Sequence, residues 1–421
     1  MVGSPACVYS NMSKQSPIII VGAGLTGLSC AVYLHERGIP VRILEASDGI
    51  GGRIRTDSVQ GFLLDRGFQV YLSAYPEAGK LLDLDALNLH SFEPGALVFD
   101  GRKLHRVMDV FRRPFRILES AFAPIGSFTD KFKVALLRLR ILKNTTSSPD
   151  QSTESFLKQF GFSHRMIDSF FRAFYGGIFL EDELRTSSRM FEFTFRMFSQ
   201  GNATLPAKGM EAIPRQLADR LPDQAIQLNA AVTDIKGLEV TLASGEIFSG
   251  QQIVIATEAS QAAKLVPRFA TDAPQWRSVT NLYFAAAKSP LNEAIIALNG
   301  SGKGLINNIS VLSDVAPSYA PDGQALLSIS VLGMHTNEDL PMIIQKELKN
   351  WFGHQVSDWR HLRTDQIREA LPEQPPGYSS PGHIRFGDIW ICGDHTTSAS
   401  IEGAVIAGTK TATAIASACR H

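Results

Sequence analysis

Residues 18–56 constrain this chain more than any other stretch: IIIVGAGLTGLSCAVYLHERGIPVRILEASDGIGGRIRT. Ile18, Ile19, Ile20 and Val21 form an unbroken β-branched run, the pattern of a strand covered on both faces. Gly22, Gly24 and Gly27 follow with the spacing G-x-G-x-x-G. The first glycine makes a tight turn, the second lets the backbone approach a pyrophosphate, and the third packs helix on strand. A helix is predicted over 25–37, with the first amides, those of Leu25 and Thr26, aimed at that phosphate. Gly38 stops it, 41–44 is a second strand, and Glu45 ends that strand. Glu45 lies about 20 residues past the glycines, where a carboxylate reaches a ribose hydroxyl. These residues predict a dinucleotide-binding unit and leave FAD and NAD both open.

The next residues bear on that choice. Glu45, Ala46, Gly51, Gly52 and Arg53 spell E-A-x-x-x-x-G-G-R. This resembles the flavoprotein superfamily of amine oxidases, phytoene desaturases and protoporphyrinogen oxidases, and the resemblance implies FAD. In that superfamily the glycine pair and its arginine lie against the FAD pyrophosphate and ribityl chain. A guanidinium suits the role, because its fork pairs with phosphate oxygens. Asp65 and Gly67 match a D-x-G element of the same superfamily, which implies that Gly67, Phe68 and Gln69 lie near the flavin ring. A glycine inside a strand also marks a close backbone approach. The resemblance further puts the Val232 backbone against the adenine. At the other end of the chain, the apolar run IWIC leads into Gly393-Asp394 and then SIEGAV. This is similar to the superfamily's C-terminal G-D…S-x-E-G-A-V-x-x-G element, nearest to that of plant-type phytoene desaturases. It implies that Asp394 meets the ribityl–phosphate part of FAD and that the Ile401 backbone faces the flavin N1–C2 edge. Ala404 is small enough to let that helix come close. Reduced flavin carries negative charge at this edge, and a helix N-terminus stabilises it.

The expected fold is α/β: a discontinuous Rossmann-type FAD-binding domain with an inserted α+β substrate domain of antiparallel sheet plus helices. The FAD-binding domain is expected at 16–100, 203–265 and 385–421, and the substrate domain at 101–202 and 266–384. Length agrees, since 421 residues suit two domains better than one. A hairpin is expected over 97–105, turning at Asp100-Gly101. Antiparallel strands are expected at 278–287, 294–298, 304–312 and 325–332. Residues 153–200 read as helical and rich in phenylalanine, broken at Gly176-Gly177. Residues 1–15 are expected to be disordered. They lack the basic and apolar regions of a secretory signal, and Met12 is an alternative start.

The 41 Lys and Arg balance the 41 Asp and Glu, so global charge does not point to nucleic acid. Cys7, Cys30, Cys392 and Cys419 are scattered, with no zinc spacing, which predicts a reduced compartment and no metal. No apolar run reaches the ~18 to 20 residues needed to span a bilayer. From Arg106 to about Lys143 the pattern is helical and basic. Arg112, Arg113, Arg116, Lys131, Lys133, Arg138 and Arg140 alternate with Phe111, Phe115, Phe122, Phe128 and Phe132. Such a stretch can lie on an anionic membrane as a peripheral contact, or be a solvated face over a core. The expected location is cytoplasmic or membrane-associated, with an organelle such as a plastid as an open alternative.

The resemblance implies an FAD-dependent oxidoreductase that takes a hydride from a C–H bond to flavin N5, of desaturase or oxidase type. Among the readings that the resemblance implies, the aromatic insert, the possible membrane face and the desaturase-like C-terminal element favour a largely apolar substrate, isoprenoid, carotenoid or tetrapyrrole-like. The acceptor of the electrons, oxygen or a quinone, stays open. One alternative is a flavin amine oxidase yielding an imine and hydrogen peroxide. Those enzymes commonly hold a lysine near N5 and an aromatic cage. Here Asn281 falls at the lysine position and Ser400 at a cage tyrosine, which argues against amines. A second alternative is a redox-silent isomerase or mutase. The candidates for catalysis are His395, beside Asp394, and Asn281. Hydride abstraction from carbon needs no side-chain acid or base.

Overall fold

The structure, a computed structural model, describes residues 16–109, 111–113, 124–143 and 149–418. Residues 1–15, Arg116, Phe115, Phe122 and Cys419, for which expectations were stated, lie outside the described residues.

A six-stranded sheet carries the glycine motif. Its order is Ile226–Gln227, Val41–Leu44, Ile18–Val21, Ile253–Ile255, Ile389–Ile391 and Ile384–Phe386. All pairings but the last are parallel. Strands from three distant parts of the chain therefore lie side by side. The β-branched run of the first strand follows from this, because both faces are covered. Ile18 and Ile20 pack into the cluster that holds Leu28, Cys30, Val405 and Ala412 of the helices Leu25–His35 and Ile401–Ala418. Ile19 and Val21 pack into a second cluster, with Val232, Val240 and Leu242 of a small antiparallel sheet.

A seven-stranded sheet follows the order Arg360–Pro372, Trp276–Ala286, Ala325–Leu332, Ile306–Val311, Ile296–Asn299, Gly95–Phe99 and Leu104–Met108. It is antiparallel except where Ile296–Asn299 meets Gly95–Phe99. Gly95–Phe99 thus belongs to this sheet although it precedes the division expected at residue 100. One face packs on the helix Leu340–Phe352 through Leu340, Ile344 and Leu348. At one end of the opposite face, Ala96, Val98 and Leu298 meet an aromatic cluster on helices that include Thr153–Phe160, Arg172–Phe179 and Ser188–Gln200.

Two local expectations are corrected. Arg106 does not begin a helix: the strand Leu104–Met108 runs through it, and the described helix of that stretch is Phe128–Leu142. The hairpin register extends the strand, with Gly95 opposite Met108. Gly176 and Gly177 do not break a helix but lie inside Arg172–Phe179. A Cβ on Gly176 would sit 2.9 Å from the Glu181 carbonyl oxygen, and one on Gly177 2.6 Å from Asn307 Oδ1. Close packing, not chain reversal, requires these glycines. The helix ends instead at Leu180, with φ 54°.

Candidate active site

The dinucleotide cleft has a volume of about 490 Å³ and is lined by Gly22, Gly24, Glu45, Ala46, Gly52, Val232, Ala256 and Glu258, among others. The three motif glycines play three distinct parts. Gly22 has φ +102°, and a Cβ there would lie 2.8 Å from the Ala256 carbonyl oxygen. Gly24 has nothing within 4 Å of its missing Cβ, so its backbone is open to the cleft. A Cβ on Gly27 would stand 2.1 Å from the Gly22 carbonyl oxygen.

Glu45 is buried and stitches the turn together. Its Oε2 accepts from the Ala23 amide at 2.7 Å, and its Oε1 from the Ser47 amide at 2.9 Å and hydroxyl at 2.7 Å. The side chains of Leu25 and Thr26 are buried, leaving backbone as their possible contact with a phosphate. Gly51, with φ +101°, donates its amide to the Ala23 carbonyl at 2.9 Å and so places the glycine pair beside the first turn.

The structure brings Arg53 and Asp394 together from opposite ends of the chain. Arg53 Nη2 donates to Asp394 Oδ1 at 2.7 Å, and Nη1 to the Ala370 carbonyl at 2.9 Å. The guanidinium lies 5.3 Å from the Trp276 ring centroid. Burial acts to lower the Arg53 pKa, but the Asp394 carboxylate outweighs it and the pKa rises. Gly393, immediately before Asp394, is extended with φ 175°. Gln69 Nε2 donates to the Arg53 carbonyl at 2.7 Å. Gly67 has φ +89° and sits against Ile367, where a Cβ would meet Cδ1 at 2.8 Å. Phe68 lines a second cavity. Ile401 opens the helix Ile401–Ala418, and Ala404 lies one turn further on.

Two supporting tyrosines carry no signal in the sequence. The Tyr283 hydroxyl donates to the Asp65 carbonyl at 2.6 Å, and the Tyr319 hydroxyl to Asp65 Oδ2 at 2.8 Å. Together they anchor the turn that presents residues 67–69. Glu402, in the C-terminal signature, accepts from the Glu77 and Ala78 amides at 2.9 Å each and so caps the helix Pro76–Leu81. Its role is structural.

Neither candidate for catalysis lines either cavity. His395 is buried, lines neither cavity, and has no partner on either ring nitrogen. Its ring lies 5.9 Å from Phe269, and burial pushes its pKa down to about 4. Asn281 is fully buried, and its Oδ1 accepts from the Ser328 and Ser330 hydroxyls at 3.1 and 3.2 Å. Its Nδ2 has no partner.

Burial pushes the Asp65 pKa up to about 6, although Thr56, Met210 and Tyr319 all donate to it. Stability from this group is full below its ordinary 3.8 and is lost as pH rises through about 6. His395 acts in the opposite sense: its contribution is present above 6.5 and is lost as pH falls toward about 4. The two slopes oppose each other. Asp65→Asn should therefore gain on its parent by about 2 to 3 kcal/mol between pH 3.5 and pH 7. Urea unfolding at the two pH values measures this, and a parallel pair of curves would refute it.

The second cavity has a volume of about 500 Å³. Phe68, Phe92, Phe170, Phe174, Tyr175 and Phe198 are among its walls. It reaches the 67–69 turn at Phe68.

These residues fit FAD. An open glycine turn faces the first cleft, an arginine follows it, and unpartnered buried Trp276 Nε1 and His395 nitrogens flank the Arg53–Asp394 pair.

The family model of flavin-containing amine oxidoreductases matches residues 25–416. Protoporphyrinogen oxidase 2 of Arabidopsis thaliana is 28% identical over 163 residues, 38% of this chain and 32% of that protein. Coproporphyrinogen III oxidase of Bacillus subtilis is 28% identical over 153 residues, 34% of this chain and 32% of that protein. The match thus spans about a third of the length of these curated relatives. The solved structure of an oxidoreductase from Methanosarcina mazei superposes with a TM-score of 0.76 at 17% identity, covering 94% of this chain and 99% of that one. The chain belongs to the flavin-containing amine oxidoreductase family.

Proposed function

We propose that this protein oxidises a largely apolar small molecule, isoprenoid or tetrapyrrole-like, in the aromatic cavity beside the 67–69 turn. FAD, when bound, supplies the hydride acceptor. Gly22, Gly24, Glu45, Ala46, Gly52 and Val232 hold its adenine, ribose and pyrophosphate. Arg53, Asp394 and the backbone at Ile401 hold the remainder, and the 67–69 turn brings the ring to the cavity. The protein's further work is to orient a C–H bond and exclude water, which an aromatic wall does well.

The observation that carries this reading is the character of the second cavity. Its two lining carboxylates are both engaged: Glu93 with Arg113 at 3.0 Å and Asp109 with Arg138 at 2.6 Å. A cationic amine would find no carboxylate reserved for it. Two of the relatives are named for porphyrinogen oxidation, which makes porphyrinogens a first choice among apolar candidates to test. The test is anaerobic bleaching of the oxidised flavin by porphyrinogens and carotenoid precursors in detergent, run beside a panel of amines. Bleaching by an apolar precursor alone is expected. Bleaching by an amine alone would replace this reading with amine oxidation. Reoxidation by oxygen or by a quinone then identifies the acceptor.

Peripheral membrane contact belongs to the same proposal. Among the described residues no helix is long and apolar enough to cross a membrane. The helix Phe128–Leu142 instead leaves Phe128, Phe132, Leu136 and Leu139 exposed, the two phenylalanines by 68% and 65%. At 100° per residue these four share one stripe. Lys131 and Arg138 run along one flank, Lys133 and Arg140 along the other. Its one acid, Asp130, is buried. Phe128 and Lys131 also line the cavity, so an apolar substrate would enter from the lipid side. Co-sedimentation with phosphatidylserine-containing vesicles, but not with pure phosphatidylcholine, is expected. Phe128→Ser/Phe132→Ser should reduce it about tenfold or more; equal sedimentation of variant and parent would remove the contact.

A further inference from the structure

The seven-stranded sheet turns an unusual strip toward the active-site side. Across that face, Asn281 pairs with Ser330, and Ser330 with Asn308; Tyr283 pairs with Ser328, and Ser328 with Ser310. Alternation puts all six on one side of the sheet. To one side of the strip lies the apolar floor under the phenylalanine cluster. To the other, Tyr283 grips the turn that leads to Gly67. Between these stand Asn281, Asn308, Ser310, Ser328 and Ser330, each no more than 4% exposed.

Three polar atoms in this strip have no partner: Asn281 Nδ2, Asn308 Oδ1 and Ser310 Oγ. Their neighbours are already committed. Asn308 Nδ2 donates to Asn307 Oδ1 at 2.8 Å, and the Ser328 and Ser330 hydroxyls donate to Asn281 Oδ1. An unmet buried polar group costs about 1 to 3 kcal/mol, so three in one strip require something to meet them. The strip contains a free donor, a free acceptor and a free hydroxyl. It contains no charged group: Asp365, opposite Asn281 on the neighbouring strand, is bound to Arg363 at 2.8 Å. Asn308 lines the aromatic cavity, so the strip meets the space in which the substrate is held at that residue, with Asn281 and Ser310 fully buried beside it.

We propose that Asn281, Asn308 and Ser310 form a neutral hydrogen-bonding subsite that takes a carbonyl or hydroxyl oxygen carried by an otherwise apolar substrate. The proposal rests on the reading of the cavity as the substrate site. An oxygen there accepts from an amide or a serine hydroxyl, and a hydroxyl can also donate to Asn308 Oδ1. An ammonium would have no counter-charge, and a carboxylate no cation. The strip thereby fixes which end of an apolar molecule points toward the 67–69 turn. Asn308 and Ser310 act as specificity residues; they position the substrate and move no proton.

The test uses the FAD-loaded protein and two ligands of similar shape, 1-(2-naphthyl)ethanol, whose hydroxyl can both donate and accept, and 2-isopropylnaphthalene. Dissociation constants come from perturbation of the visible flavin spectrum. The quantity read is the ratio of the hydrocarbon's constant to the alcohol's, in the parent, in Asn308→Leu and in Ser310→Ala. Loss of one neutral hydrogen bond should lower that ratio about five- to tenfold in each variant, with hydrocarbon binding changed less than about twofold. Ser310→Ala removes a single hydroxyl and guards against misfolding in Asn308→Leu. An unchanged ratio in both variants overturns the subsite and leaves the cavity standing. No binding of either ligand to the parent overturns the cavity, and the subsite with it.

Discussion

Glu45→Ala should purify largely free of flavin, with FAD affinity lowered about 100-fold. The carboxylate accepts three hydrogen bonds, from Ala23 and Ser47, and lines the cleft. Hydrogen bonds to a charged group are worth about 1.5 to 3 kcal/mol each. Two losses therefore add. The turn around Ala23 loses its clamp, and the ribose loses its acceptor. The fold should survive, because the parallel strands on either side of Val41–Leu44 do not depend on this side chain. Glu45→Gln keeps one acceptor oxygen without the charge and should fall between the two. The ratio of flavin to protein absorbance after gel filtration measures retention, and fluorescence quenching of added FAD measures affinity. Full flavin content in Glu45→Ala would withdraw the ribose assignment.

The parts of this site that were legible in the sequence are those in which backbone geometry dictates the residue. Gly22 and Gly27 admit no Cβ, and Gly24 faces open space. A short local pattern therefore encodes the turn, and the acid that closes it lies 22 positions from the amide it holds. The same directness makes the strands on either side readable, since covered faces demand β-branched residues. Arg53 and Asp394 were each legible by resemblance, but not their ion pair across 341 positions. Tyr319 reaches Asp65 across 254 positions, and a tyrosine in a buried stretch reads as core. The sequence could not distinguish the phenylalanines that line a cavity from those that only pack, because both need the same side chain.

The misread elements share a physical cause. Gly176-Gly177 has the composition of a break, but the two residues serve a helix that must pass close to Asn307 and Glu181. Glycine reports that a side chain is forbidden without reporting why. Arg106 opened a run that looked basic and helical, whereas pairing with Gly95–Phe99 held Leu104–Met108 as a strand. Tertiary pairing overrides local propensity at such places. His395 follows Asp394 in the sequence, but it lines neither cavity.

One substitution at two positions of the same motif should separate fold from cofactor. Gly27→Ala places a Cβ 2.1 Å from the Gly22 carbonyl oxygen, a backbone atom with no rotamer to change. The helix Leu25–His35 would have to move by about 1 Å to reach ordinary contact distance. It cannot retreat freely, because Gly408 of the helix Ile401–Ala418 already lies so close that a Cβ there would be 2.4 Å from the Thr26 carbonyl oxygen. Alanine's helix propensity would favour the change by about 1 kcal/mol, and the clash outweighs it. Gly27→Ala should lose about 3 kcal/mol or more and lower the unfolding midpoint of the flavin-free protein by about 3 °C or more. Gly24→Ala meets nothing within 4 Å in the empty cleft. It should cost the flavin-free protein about 1 kcal/mol or less, from the weaker N-cap, while its methyl stands where the pyrophosphate must approach and weakens FAD binding about 100-fold. Thermal unfolding with and without FAD tests both. Equal midpoints for the two flavin-free variants would mean that the third glycine does not set the helix–strand distance. Parental FAD affinity in Gly24→Ala would move the pyrophosphate away from this turn.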